Sequence, residues 1–166
     1  MPRLPQLVRA LSEGRDYLYR KALYDPILEY DRRCGSQVAA TVNDAKREAL
    51  LRELAGFMLT AVHEEMALFY PDSPLPARVT DALYFEMYRC LPPPESDYVR
   101  YHNPELEDSR TAPAFKFGQT VAGILGTLDI PFLLMMSQQC PLILEASKKL
   151  VRFTLFDEPM ERQKTG

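Results

Sequence analysis

The sequence is poor in glycine and has no tryptophan. Its 166 residues include 7 glycines but 14 prolines. Strand-rich domains use glycine at turns and bulges, whereas proline ends helices or occupies their first turn. Because the prolines stand at the boundaries of apolar segments, the composition disfavours a β-rich fold and favours helices.

Cysteine is also scarce. Cys34, Cys90 and Cys140 are an odd number, are widely spaced and form no Cys-x-x-Cys pair. Small secreted scaffolds usually carry an even set of disulfide-forming cysteines, so we expect a reducing, intracellular compartment. The sequence does not decide between the cytoplasm and an organelle interior. Each cysteine is expected to be a small core residue.

The chain lacks an excess of positive charge. Its net charge is −3, and Lys and Arg are interspersed with Asp and Glu. Binding to nucleic acid needs clustered cations that neutralise phosphates, so we predict no nucleic-acid partner. Residues 34–110 hold 7 basic and 13 acidic side chains. This segment is interpreted as a solvated acidic face, with a docking site for a basic partner as the alternative.

A membrane-spanning run of apolar residues is missing as well. Asp129 is the only charged residue between Val121 and Leu144, but Pro131 and Pro141 fall in the same window. A spanning helix needs about 20 predominantly apolar residues, and a central charge is costly there. We therefore interpret this window as parts of two buried helices and do not predict a membrane span.

Apolar residues recur at helical spacing along most of the chain. The pattern predicts helices over Pro5–Leu23, from Asp25-Pro26 to Cys34, from about Val42 to Phe69, and from Ser73 to Leu91. It predicts an all-α fold: a single domain over 1–156 with five to seven helices. The bundle is expected to be irregular or orthogonal, around an apolar helix pair at 113–128 and 131–156. A long polar loop at 92–112 and a polar tail at 157–166 complete the expected organisation.

Several residues mark the expected ends and contacts of these helices. Asp25 is predicted to cap the second helix, and Gly35 to end it in a left-handed conformation. The long helix is expected to start at Thr41–Asp44, or nearer Ser36. Glycines of the apolar pair are expected to let another helix approach closely; they are Gly118, Gly123 and Gly126.

Catalytic and ligand-binding motifs are absent from the sequence. His63 precedes Glu64 and Glu65, but no His-Glu-x-x-His metal motif follows. No nucleophile elbow, phosphate-binding loop or dinucleotide fingerprint is found either. We therefore predict no catalytic residue, no metal site and no cofactor. If the protein were an enzyme, the first candidates would be His63, Glu64, Glu65 and Cys90.

Aromatic and methionine side chains supply the candidate binding surface. Tyrosine bears one polar group on a large apolar ring, and methionine adapts to varied partners, so both suit interfaces. The predicted partner-binding residues are Tyr84, Tyr88, Tyr98, Tyr101, Phe132, Met135 and Met136. Tyr98 and Tyr101 fall in the polar loop, which is expected to contact a partner or to be modified.

Two short segments resemble known families. Leu18-Tyr19-Arg20, with Phe57 downstream, is similar to the pattern of LYR-motif proteins, which are small helical mitochondrial accessory factors. The segment 117–122, Phe-Gly-Gln-Thr-Val-Ala, resembles the central helices of Bcl-2-type bundles. Each match covers only a few residues, and we assign neither family.

These observations favour a non-enzymatic helical interaction module, an adaptor or a subunit of a larger assembly, whose partners are other protein subunits. Formation of a homo-oligomer is left open. One alternative is a small helical enzyme or ligand-binding protein whose site is assembled from distant residues. The other is a membrane-associated or mitochondrial accessory subunit.

Overall fold

The structure, a computed structural model, describes residues 3–88 and 112–155. Its regular elements there are all helical, which confirms the all-α prediction. In chain order they are α1 (Leu4–Leu18), a π-helical segment (Tyr19–Tyr24), α2 (Asp25–Cys34), a 3-10 turn (Ala39–Thr41), α3 (Asp44–Phe69), α4 (Leu75–Tyr88), α5 (Ala112–Leu125) and α6 (Ile130–Leu155). The predicted tail at 157–166, and the predicted loop at 92–112 apart from Ala112, lie outside the described residues.

The chain stays helical from α1 into α2, and the predicted cap at Asp25 is wrong. Asp25 has φ −61° and ψ −45°, which is right-handed helical geometry rather than that of a cap. Pro26 lacks an amide hydrogen, and its ring would clash with the carbonyl four residues earlier, Ala22. Ala22 lies in the π-helical segment, whose wider turn accommodates this proline without ending the helix.

The turn after α2 is organised by one carboxylate. Gly35 has φ 64°, which confirms the predicted left-handed end of α2. The Asp31 carboxylate then accepts hydrogen bonds from the Ser36 hydroxyl at 2.6 Å and from the Val38 and Ala39 amides at 2.9 Å each. Although burial acts to raise the pKa of Asp31, these hydrogen bonds outweigh it and lower that pKa. The turn thereby directs the chain from the end of α2 to the start of α3.

Helix α3 occupies the centre of the bundle. Its first turn is capped by Asn43, whose side chain accepts from the Lys46 amide at 2.8 Å; the start nearer Ser36 is therefore wrong. Every residue from Glu53 to Val62 is buried, so this part of the helix is covered on all sides. Phe57 stacks on Phe117 of α5 with ring centroids 4.7 Å apart. The sequence predicted the pair at 113–156 as the core; that pair is buried as predicted, and α3, which packs against both of its helices, forms the core together with it.

The apolar pair is nevertheless present as α5 and α6, packed along each other. A Cβ atom on Gly118 would lie 3.2 Å from the Leu133 carbonyl oxygen and 3.0 Å from Ser137 Oγ, so this glycine permits the predicted close approach. Among the described residues, no atom lies within 4 Å of the corresponding position on Gly123, and the prediction is wrong there. Gly126 instead ends α5, with φ 73°.

Candidate functional site

The tyrosines predicted as partner contacts on α4 bind a neighbouring helix. Tyr84, which is 1% exposed, accepts a hydrogen bond from Arg52 of α3 at 3.1 Å. The Tyr88 hydroxyl donates to the Arg52 carbonyl at 2.9 Å, and the Arg52 guanidinium lies 4.9 Å from the Tyr88 ring centre. These contacts fix α4 on α3, and only Tyr88 is partly accessible. Tyr98 and Tyr101 lie outside the described residues.

The predicted residues on α6 divide between core and surface. Phe132 and Met136 are fully buried, so they stabilise the fold and present no surface in this structure. Met135 is partly exposed and lines a groove between α2 and α6. Five consecutive apolar residues from Phe132 to Met136 exceed one helix stripe, and the excess is exposed: Leu134 is 57% accessible. Contact of a partner with Phe132, Met135 and Met136 stays a prediction.

The α2–α6 groove has a volume of about 550 Å³. Its α6 wall includes apolar and amide side chains, among them Leu134, Met135 and Gln138. Its other wall extends along the π-helical segment and α2 and carries both signs of charge, contributed by Lys21, Asp25, Glu29 and Arg33. A helix rises about 1.5 Å per residue, so the stretch from Lys21 to Cys34 makes this wall about 20 Å long.

A tyrosine–aspartate contact joins the walls of this groove. The Tyr30 hydroxyl of α2 donates to Asp129 Oδ2, while Asp129 Oδ1 accepts from the Phe132 amide at 2.9 Å and so caps α6. The Tyr30 ring meets the edge of Phe132 with centroids 5.2 Å apart. The hydrogen bond to Asp129, with burial, raises the pKa of Tyr30 to about 12. One carboxylate therefore sets both the start of α6 and the position of α2.

Large apolar side chains near the start of α6 are exposed to solvent, and one of them, Leu134, lines this groove. Leu128 is 70% exposed, Ile130 is 69% exposed and Leu134 is 57% exposed. Ile130 and Leu134 are four residues apart on α6 and share one face of the helix, and Leu128 lies in the turn before α6, separated from Ile130 by Asp129. We call these three residues the α6 ridge. Side chains of this size are costly to leave in water, and several of them exposed within a short stretch of chain are typical of an interaction surface.

Comparisons with known proteins give no family for this chain. No family model, no curated protein and no solved structure matches it.

A second groove, with a volume of about 600 Å³, lies beside the π-helical segment. Arg20 and Arg47 line it with the rings of Tyr19 and Tyr24, and Arg47 lies 5.9 Å from the Tyr19 ring centre. Burial raises the pKa of Tyr19, an effect that the positive charge of Arg47 opposes. We call it the Arg20–Arg47 groove. The Arg20–Arg47 groove could not be predicted from the sequence, because its residues come from helices that only the fold brings together.

The residues proposed for an enzyme are held mainly in structural contacts. Glu65, 3% exposed, pairs with Arg152 of α6 at 2.7 Å, and Glu64 lies 3.7 Å from Lys148. His63, on the same helix, is partly buried. Cys90 lies outside the described residues. Two ion pairs thus link α3 to α6, and no group of three or more His, Cys, Asp or Glu side chains that could hold a metal ion occurs within residues 3–88 and 112–155.

The described cysteines differ in their surroundings. Cys140 is fully buried, and burial raises its pKa to about 12, which confirms the predicted core role. Cys34 is exposed at the last residue of α2, where it faces the α2–α6 groove rather than the core, so the prediction is wrong for this residue. As for the membrane alternative, none of the helices in the described ranges is both long enough and apolar enough to span a bilayer.

Proposed function

We propose that the chain is a non-enzymatic helical interaction module that binds another protein through the α6 ridge and the α2–α6 groove. The observation that carries this proposal is the exposure of Leu128, Ile130 and Leu134, which lies between 57% and 70%. Burying a leucine or isoleucine side chain completely is worth about 1.5–3 kcal/mol, so covering each of these would contribute about 1–2 kcal/mol to binding.

The partner that fits this surface is an amphipathic helix. The groove lies between two helices and extends over about 20 Å, which is roughly four turns of a docked helix. The apolar side chains of its α6 wall would pack against the apolar stripe of such a helix. The charges of Lys21, Asp25 and Arg33 along the other wall would pair with polar residues beside that stripe and so set its direction.

Site-specific cross-linking tests this proposal. A photo-reactive amino acid placed at Ile130 in cells of the source organism should cross-link one protein in high yield. The same amino acid at Leu68 is the control, because Leu68 is 75% exposed but follows Glu65, which pairs with Arg152 near the far end of α6. Equal products at both positions, or none at Ile130, would contradict the proposal. A product made of two copies of this chain would identify the partner as the chain itself.

Substitution supplies the second measurement. The double change Ile130→Ser and Leu134→Ser should reduce binding of the cross-linked partner by about 2–4 kcal/mol, because two apolar contacts are lost. Leu68→Ser should leave binding unchanged. Both variants should retain the thermal stability of the parent chain, since the altered side chains are exposed. Retained binding in the double variant would exclude the α6 ridge as the contact.

A further inference from the structure

The Arg20–Arg47 groove combines features that point to a separate binding site. Arg20 and Arg47 are both exposed and line the same groove. Several other arginines have carboxylate partners: Arg33 pairs with Glu29 at 2.9 Å, and Arg152 with Glu65 at 2.7 Å. Among the residues that the structure describes, no carboxylate forms such an ion pair with Arg20 or Arg47. Two guanidinium groups thus remain available in one groove.

We propose that this groove binds an organic oxyanion, a carboxylate or phosphate group attached to a flat apolar body. The guanidinium group presents a planar fork of N–H donors that matches the oxygens of either anion. A volume of about 600 Å³ is within the range of small-molecule sites. This proposal goes beyond the proposed protein-binding surface and does not depend on it; the two grooves share one lining residue, Asp25.

The apolar part of the ligand is recognised by the rest of the groove. The rings of Tyr19 and Tyr24 and the side chain of Leu28 line it, and Tyr24 and Leu28 are 38% and 43% exposed. Tyrosine faces pack well against flat apolar groups. The guanidinium of Arg47 already lies over the Tyr19 ring, which limits the positions that its side chain samples.

Two aspartates of the groove restrict the total charge that it accepts. Asp16 pairs with Arg15 at 3.4 Å, and Asp25 also lines the groove. These negative charges reduce the attraction for a polyanion such as nucleic acid. They leave the two arginines able to bind a compact anion through directed hydrogen bonds. The groove is therefore suited to a ligand with one anionic group rather than to a charged polymer.

Nuclear magnetic resonance titration of the isotopically labelled full chain tests the proposal, with phenyl phosphate and benzoate as probes. Both should shift the side-chain N–H signals of Arg20 and Arg47 and the backbone signals of the π-helical segment. Inorganic phosphate should bind more weakly, because it lacks the apolar body, and neutral benzyl alcohol should bind more weakly still. The tighter of the two aromatic probes identifies the preferred oxyanion.

Substitutions make the test specific. Arg20→Gln and Arg47→Gln should each weaken binding of the tighter probe by about tenfold or more, as expected for loss of a charged hydrogen bond. Arg78→Gln is the control, because Arg78 is exposed on α4 and does not line the groove. The proposal is overturned if neither aromatic probe binds in the millimolar range, if the shifts map elsewhere, or if all three variants bind alike. Shift mapping on the parent chain decides the question even if a variant fails to fold.

Discussion

Replacing Gly118 by alanine measures the close contact between α5 and α6. The new Cβ would lie 3.2 Å from the Leu133 carbonyl oxygen, 3.0 Å from Ser137 Oγ and 3.6 Å from Met136 Cβ. The serine hydroxyl can rotate away, but the carbonyl belongs to the backbone of α6 and can yield only if the helices separate. Forcing an extra methyl group into a packed interface costs about 1–3 kcal/mol.

Gly123→Ala is the matched control for this change. Gly123 lies in the same helix, and within the part of the chain that the structure describes no atom lies within 4 Å of the position that its Cβ would take. Alanine is favoured over glycine inside a helix by about 1 kcal/mol, and both variants should gain this amount. The free energy of unfolding of Gly123→Ala should therefore rise by about 0.5–1 kcal/mol, whereas that of Gly118→Ala should fall by up to about 2 kcal/mol.

Urea denaturation followed by circular dichroism measures both values. The difference between the two variants isolates the interhelix contact, because the change in helix propensity is common to both. If the two variants were equally stable, α5 and α6 would not approach each other at Gly118 and the arrangement of this pair would be wrong.

Three further predictions concern individual side chains. Arg152→Met should lower the free energy of unfolding by about 3–5 kcal/mol, because it leaves the buried Glu65 carboxylate without its cation. Adding Glu65→Leu should restore most of this loss. A double variant that stays as unstable as Arg152→Met would contradict this reasoning. The pKa of Tyr30 is raised to about 12, so the folded chain keeps the phenol proton above pH 10, where the unfolded chain loses it, and stability should fall between pH 10 and 12. Tyr30→Phe should reduce that decline in chemical denaturation at several pH values, and an unchanged slope would count against the Asp129 contact. Asn43→Ala should cost about 0.5–2 kcal/mol through loss of the α3 cap, whereas Asn43→Asp should cost much less; equal losses in thermal melting would show that the cap is not formed.

Local patterns in the sequence predicted most helix boundaries. Asn43 caps α3 by accepting from the Lys46 amide, and Gly35 ends α2 through its own backbone conformation. Both interactions are local, so the start of α3 and the end of α2 can be predicted without knowledge of tertiary contacts. The predicted cap at Asp25 is wrong because Pro26, although it lies in the first turn of α2, follows a helix that does not end before it. A π-helical turn before the proline accommodates it, and such a turn has no periodic pattern by which it could be predicted from the sequence.

The position of the core depended on more than apolar content. The segment after Pro113 is the most apolar in sequence, yet α3 is the helix covered on all sides. Ala55, Gly56 and Ala61 are small and buried, as is common where close-packed neighbours cover a helix. Hydropathy alone indicates which side chains avoid water. It does not indicate how the helices pack against one another.

The candidate sites likewise depend partly on local sequence and partly on how the helices pack. The sequence by itself determined that the chain is helical, where most helices begin and end, and that the segment around Phe132–Met136 has more apolar residues than one helix face can bury. Only the tertiary structure decided which of them reach the surface: Phe132 and Met136 are buried, whereas Leu134 is exposed. It also placed Arg20 and Arg47, residues of different helices, in the lining of one groove. Helix formation depends on interactions within a few residues, whereas a groove depends on how separate helices pack, and that information is spread over the whole chain.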